Sequence, residues 1–483
     1  MEQRSGIGGL LCINEGDEQM SRSIRSMLCV TAAAVLFAAG CAHTVAGSAL
    51  PDAAGLAGTG TAPGSQPAGP GGSTPGGSRA GTTAPGTSAT QTPRPPTTAP
   101  GGRSSGSGAP SSSTGPRTSG PQTTGPQATA GTGAPYPTAP GQYYKNPRTQ
   151  ASANLLEARR IATRLLVPTL IDPRYNRGGD LSTLPLRGPS ALSVLFAAPV
   201  PAVAQRAGMI TGFSSARSDA AGNGMVVAAF EFPSGAQATA AVAPLAAASA
   251  NKSTDRGAAV LAGLPAAAGW FGTAAGGKSY FQSFVAQGRM VLYVYLDGSS
   301  TDLSTPAQQA ALAEKVLEKQ MVYMPLLQPT PPADLMKLLV DPDSMLAHTL
   351  PNKDGDATVR DGIYTAAADL HFDSDPVGTK ALFGQVGVDE VAHGRATLYR
   401  ARDAAAALVL RDSFVASTQK AVAGMQPYTL TSSVPSARCI QQALNTTYYC
   451  VGTAGRYAWE VSASSQADIN AAMSSQAAIL KGF

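Results

Sequence analysis

After residue 150 one order of elements occurs twice, and that repetition restricts the fold more than any other feature of the chain. In the first copy a helix over 200–207 ends at Gly208, a residue suited to a left-handed C-cap. Strands follow at 209–216 and 225–232, and Ser234 caps an alanine-rich helix over 236–249 that Pro244 should kink. A hairpin over 280–296 turns at Gln287-Gly288, and Thr305-Pro306-Ala307-Gln308 is a capping box that opens a helix to about 322. In the second copy Asp375-Pro376 opens a helix ending at Gly387, and strands follow at 388–393 and 396–401. Asp403 caps a helix over 404–416, a hairpin spans 438–461 with its turn near Ala454-Gly455, and Ser465 caps a helix over 466–480. Gly288-Arg289 and Gly455-Arg456 both start the returning strand, so an internal duplication explains the match. Each unit reads α-β-β-α-β-β-α, which implies an α+β fold: two similar units, each an antiparallel sheet with helices on one face. The stretch YMPLLQPTPP (323–332) marks the boundary, giving a first unit over 141–326 and a second over 327–483.

Ahead of the repeats, Leu155, Ala158, Ala162, Leu165 and Leu166 share one face of a helix over 151–166 that stops before Pro168. The stretch 41–140 is of a different kind, with Gly, Pro, Ser, Thr and Ala in irregular order and almost nothing large and apolar to bury. Such a segment cannot repay its ordering entropy and is expected to be a disordered stalk. A Gly-rich chain of that length spans on the order of 55 Å. Its Thr, Ser and Pro content would also suit O-glycosylation.

Residues 27–41, MLCVTAAAVLFAAGC, follow Arg22 and Arg25 and have the layout of a secretory signal. The apolar run falls short of the roughly 20 residues of a spanning helix. Ala38-Ala39-Gly40-Cys41 resembles the lipobox of bacterial lipoproteins, in which the cysteine is acylated and becomes the N-terminus. That resemblance implies a diacylglyceryl anchor on Cys41, enough for stable attachment, and a place on the extracytoplasmic face of the cell membrane. Residues 1–19 carry Glu2, Glu15, Asp17 and Glu18 against Arg4, the wrong sign for a signal's first region, so Met20 is the expected start of a signal peptide ending at residue 40.

The formal net charge of +5 is mild for 483 residues, and no dense Lys/Arg stripe accompanies it, which speaks against nucleic-acid binding. Cys12 and Cys29 fall in the leader and Cys41 is assigned to lipid, leaving Cys439 and Cys450. An isolated pair in an exported chain reads as a disulfide; a zinc site would need four ligands, and no histidine lies near in sequence.

The best motif match is residues 272–279, GTAAGGKS, which satisfies the phosphate-loop pattern. A working phosphate loop is fed by a strand and left by a helix, whose N-terminus faces the phosphates. Residues 266–271 read as no buried strand and those after Lys278 as a hairpin, so neither condition is expected to hold and no nucleotide partner is assigned. His43, His348, His371 and His393 form no i, i+4 pair; His371 and His393 fall on expected strand segments, and no metal or cofactor is assigned. Residues 352–357 resemble the start of a calcium loop, yet lack its sixth-position glycine and have Ile363 where a bidentate glutamate belongs. The Asp341/Asp343 and Asp373/Asp375 pairs flank prolines, and capping accounts for Asp375. No catalytic residue is assigned, although a triad assembled across the fold would leave no spacing signature.

The stretches ANLLEARRIATRLLVPTLIDPRY (153–175), AGMITGFSSARSD (207–219), VDPDSMLAHTLP (340–351), LHFDSDPVGTKALFGQVGVDEVAHG (370–394) and YRARDAAAA (399–407) resemble an actinobacterial lipoprotein family with a two-part domain of unknown function, the number 7373 domain. The resemblance implies no activity and no catalytic residues. The function expected is non-catalytic binding of an envelope ligand or protein partner, in a groove between the units. The alternatives are an envelope hydrolase or transferase with a dispersed site, recognised by a cleft of converging polar groups, and a purely structural wall component, recognised by a smooth polar surface.

Overall fold

The computed structural model of the chain describes residues 136–178, 182–250, 255–273, 277–298, 303–353, 356–442 and 447–483. The leader, Cys41 and most of the stalk lie outside the described residues, as do 274–276 of the glycine loop and 354–355 of the calcium-like turn.

The first half opens with α1 (Gln150–Ala162), capped by the Thr149 hydroxyl, which accepts from Ser152 N, and the short α2 (Pro168–Ile171). Then come β1 (Leu184–Leu186), a 3-10 helix (Pro189–Val194), α3 (Val200–Arg206), β2 (Thr211–Ser218), β3 (Gly224–Glu231) and α4 (Gly235–Ser249), which runs through Pro244. Next are β4 (Gly257–Ala258), β5 (Ala268–Thr273), β6 (Ser279–Gln287), β7 (Met290–Gly298) and α5 (Pro306–Tyr323), which carries the full Thr305/Gln308 capping box.

The second half holds β8 (Gly362–Thr365), α6 (Ala366–Asp369), α7 (Pro376–Val386), β9 (Glu390–His393) and β10 (Thr397–Arg400). After α8 (Ala404–Ala421) come β11 (Met425–Tyr428), β12 (Arg438–Gln442), β13 (Thr447–Ala454), β14 (Tyr457–Ala463) and α9 (Gln466–Ile479). Asp375, Asp403 and Ser465 cap α7, α8 and α9. Gly387 ends α7 at φ 64°, where a side chain would be strained.

Two seven-stranded antiparallel sheets result, with orders β1-β2-β3-β7-β6-β5-β4 and β11-β12-β13-β14-β10-β9-β8. Reading the second backwards gives 8-9-10-14-13-12-11, the first order shifted by seven. The registers agree as well. Gln287 faces Met290 around Gly288, and Ala454 faces Tyr457 around Gly455, both turn glycines having positive φ. Arg289 Nε donates to Phe232 O at 3.0 Å, and Arg456 Nε donates to Ala401 O at 2.8 Å, the residue after β3 and after β10 respectively.

Helices cover both faces of each sheet, whereas the sequence pattern suggested one. In β3, Met225, Val227 and Ala229 join a core with α1 and α5, while Ala228 and Phe230 join another with α3 and α4. In the second sheet, Val391, Tyr399 and Tyr449 pack with α7 and α8, and Leu398, Trp459 and Val461 pack with α9. The physical reason stands in the strands: MVVAAF and MVLYVYL are apolar at consecutive positions, the mark of a strand buried on both sides. Three further expectations shift. His371 sits in the turn after α6 and not on a strand, β12 is a strand of its own ahead of the β13–β14 hairpin, and β5 leads into the glycine loop where no strand was expected.

The halves share core. Tyr364 and Ala368 of the second complete the α1/α5 core of the first, and Val167 of the first packs with α7 and α8. Tyr136, in the stretch read as stalk, is 4% exposed and lies in the α9 core of the second half. Its hydroxyl donates to Asp468 at 2.7 Å and accepts from Arg395 Nε at 3.0 Å.

Candidate functional site

The seam where the sequence suggested a groove is built from buried polar groups. Arg217, on β2 and 2% exposed, extends Nη2 to the carbonyls of Leu370 (3.3 Å), His371 (3.4 Å) and Asp373. Its Nε and Nη1 have no hydrogen-bond partner among the described residues. Burial lowers its pKa to about 10 against the opposing pull of Asp373 and Asp375. His371 contacts Ala162 O through Nε2 at 3.0 Å, and burial brings its pKa down to about 4, with the Arg217 charge acting in the same direction. These groups bridge the halves.

The larger of two notable cavities lies elsewhere, on the α3/α4 side of the first sheet. It has a volume of about 390 Å³ and is lined by Val194 and Leu195 from the 3-10 helix, by Ser218, Val226, Tyr293, Tyr295 and Asp297 from β2, β3 and β7, and by neighbouring backbone. Strand alternation decides which side chains reach it. Tyr293 belongs to the α3/α4 core and Val226 and Tyr295 pack against it, so these three face the cleft. Arg217 lines it too, but its guanidinium is committed at the seam, on the Phe213 side of the sheet. Val194 is 44% exposed and forms an outer edge.

The polar groups at this cleft are few and mostly engaged. Tyr293 Oη donates to Gln282 Oε1 at 3.2 Å. Tyr295 stacks on Tyr280 with ring centroids 6.3 Å apart, and burial, with the charge of Asp297, holds its hydroxyl well above the ordinary pKa. Asp297 Oδ1 accepts from Gly224 N at 2.8 Å. Lys278 Nζ lies 3.8 Å from the same oxygen and donates to Gly222 O at 2.6 Å. The lysine of the phosphate-loop pattern thus holds a turn and a carboxylate. A strand does feed the loop, contrary to the sequence reading, yet what leaves it is β6, antiparallel to β5. A loop between paired strands offers no helix N-terminus to phosphate.

Cys439 and Cys450 are joined by a disulfide between directly opposed positions of β12 and β13, with Cα atoms 4.1 Å apart. His393 Nε2 lies 2.6 Å from Asp369 Oδ1, with its ring edge-on to Tyr364 and Phe372. This is two-thirds of a catalytic triad, but no serine, threonine or cysteine hydrogen-bonds to His393 among the described residues. A smaller cavity of about 260 Å³ lies between 140–145 and 341–348, with Asp341 and His348 in its wall; the Asp341 carboxylate accepts from Leu346 N and Ala347 N at 3.0 and 2.8 Å. Among the described residues no group of three His, Cys, Asp or Glu could hold a metal ion, and no helix is long and apolar enough to cross a membrane. Sequence reasoning missed Val194, Leu195, Val226, Tyr293, Tyr295 and Asp297, which no local motif connects.

Residues 144–340 match the family described as "Domain of unknown function (DUF7373) N-terminal", and residues 345–482 match its C-terminal counterpart. No curated protein matches the chain. Among solved structures it is similar to the extracellular domain of PknH from Mycobacterium tuberculosis, with 16% identity, 34% of this chain and 95% of that one covered, and a TM-score of 0.25, a likeness too slight to bear an argument.

Proposed function

The chain belongs to the DUF7373 family through both of its parts, and from that premise we propose that it is a non-catalytic binding protein of the cell envelope, with its ligand in the cleft of the first half. The observation that carries this reading is the lining of the cleft. Val194, Leu195, Val226 and two tyrosines give it an apolar side, Ser182, Ser218, Asp297 and backbone a polar one, and no histidine, cysteine or lysine is in the lining. The volume of about 390 Å³ falls in the range of small-molecule sites.

The location rests on separate supports. The Arg-flanked apolar run ending in Ala-Ala-Gly-Cys41 is the sequence of a lipid-anchored export signal, and the Cys439–Cys450 disulfide suits an oxidising compartment. Cys41→Ser should release the protein from the membrane fraction or leave its precursor unprocessed. Mature, membrane-bound Cys41→Ser protein would contradict the anchor.

Binding is tested by native mass spectrometry of protein purified from the envelope, wild type against Val226→Trp, which places an indole in the cleft. The reading expects a small molecule with the wild type that Val226→Trp has lost. Equal occupancy of both, or none in either, contradicts it.

A further inference from the structure

Building on the cleft as the binding site, we infer that its ligand has an apolar body and a head group that is cationic or uncharged, and that anionic ligands are excluded. Charge decides what the cleft admits. The lining contains two charged residues, Arg217 and Asp297. Arg217 directs Nη2 to the carbonyls of 370, 371 and 373 beyond the opposite face of the sheet, so its guanidinium points away from the cleft. Asp297 remains, at the end of β7 on the same face as Tyr293 and Tyr295. Lys278 approaches it only to 3.8 Å while its own ammonium donates at 2.6 Å to Gly222 O, which fixes it at the rim. An anion entering here meets the Asp297 carboxylate, and the ammonium nearest to it, that of Lys278, is held by Gly222 O and by the same carboxylate. A cation meets the Asp297 carboxylate, which attracts it.

The duplicated half shows that this arrangement is specific to the first copy. By register, Tyr293 corresponds to Glu460 and Tyr295 to Ser462. Glu460 is buried and accepts from Tyr399 Oη at 2.7 Å and Tyr449 Oη at 2.6 Å, so the second half carries a carboxylate holding two tyrosine hydroxyls where the first has the single Tyr293–Gln282 bond.

The test uses the full chain and three probes with one alkyl tail, octyltrimethylammonium, octyl glucoside and octanoate, titrated calorimetrically below their micelle concentrations. The ammonium and the glucoside should bind, with octanoate at least about tenfold weaker than either. Asp297→Asn should remove most of the difference between ammonium and octanoate. In the wild type the preference should shrink as salt rises from low to physiological ionic strength, which keeps the test decisive if the variant misfolds. Octanoate binding as tightly as the ammonium would overturn this inference and leave the binding function standing. Failure of all three probes would count against the binding function itself.

Discussion

The two halves share a topology and a strand register, and they differ where equivalent positions meet buried polarity. Tyr293 and Gln282 of the first sheet correspond to Glu460 and Tyr449 of the second, so each pair holds one tyrosine hydrogen bond with donor and acceptor on opposite strands. The second sheet adds Tyr399 where the first has Phe230, and the carboxyl of Glu460 collects two hydroxyls. At the α5/α9 side, Cys439 and Cys450 correspond to Gly269 and Ser283. A Cβ on Gly269 would lie 1.9 Å from Gln282 O, so there the strands approach too closely for any side chain. Glu231 corresponds to Arg400. Glu231 meets Arg289 in the first half, and Arg400 meets Asp389 and Asp343 in the second. One backbone plan therefore holds an acidic group in one copy and a basic group in the other at the same position, each with a partner.

That contrast predicts unequal costs. Glu460→Ala should be the most damaging change, on the order of 3 kcal/mol or more, because it takes the carboxylate acceptor from two buried tyrosine hydroxyls and leaves a void. Urea unfolding measures it; a loss below about 1 kcal/mol would mean the second half does not depend on this group. Cys450→Ser should cost about 3 kcal/mol in the chain-entropy model. Gly269→Cys with Ser283→Cys should not recover that gain in the first half, since the strands would have to part; a cross-link found there by non-reducing peptide mapping, with stability raised, would break the comparison.

The seam and the Glu231 cluster titrate in opposite directions. Burial, with the nearby Glu157 charge, raises Glu231 from 4.5 to about 8 despite Arg289. A raised folded value means its contribution is full below 4.5 and lost as pH climbs through about 8. The slope is at most about 1.4 kcal/mol per pH unit. His371 is lowered from 6.5 to about 4, so its contribution is full above 6.5 and lost as pH falls through about 4. Glu231→Gln should flatten the alkaline side of the stability profile and His371→Gln the acid side; thermal melts across pH 4 to 9 would show the limbs exchanged if the assignment were reversed. Tyr293→Phe should lose about 1 kcal/mol, well under its counterpart Glu460→Ala, because it removes one neutral hydrogen bond at 3.2 Å. Lys278→Ala should move stability by no more than about 0.5 kcal/mol and the chain should show no Mg-ATP binding by calorimetry. Saturable nucleotide binding abolished by that substitution would contradict the paired-strand loop.

What the sequence disclosed was local. Thr305, Asp375, Asp403 and Ser465 announced helix starts, and Gly288 and Gly455 announced hairpin turns, because caps and turns are decided by a few adjacent residues. The edge strands were hidden. β4 has two residues and β11 contains Pro427, which is tolerated at the outer position that strand occupies, while β5, next to the edge, contains two glycines. Helices on the second face could not be read either, since an apolar run gives no sign of which side is covered. The cleft joins residues from 194 to 297 that meet only through sheet register, and the commitment of Arg217 to carbonyls near residue 370 is a tertiary fact.

The central contrast is between the cleft beside Tyr293 in the first sheet and the Glu460 cluster at the equivalent place in the second. Hydrogen–deuterium exchange of the full chain, with and without octyl glucoside, compares them directly. The prediction is slowed exchange at 224–226 and 293–297 and no change at 393–395 and 460–464, the corresponding positions. Protection confined to the second set, or equal in both, would contradict it.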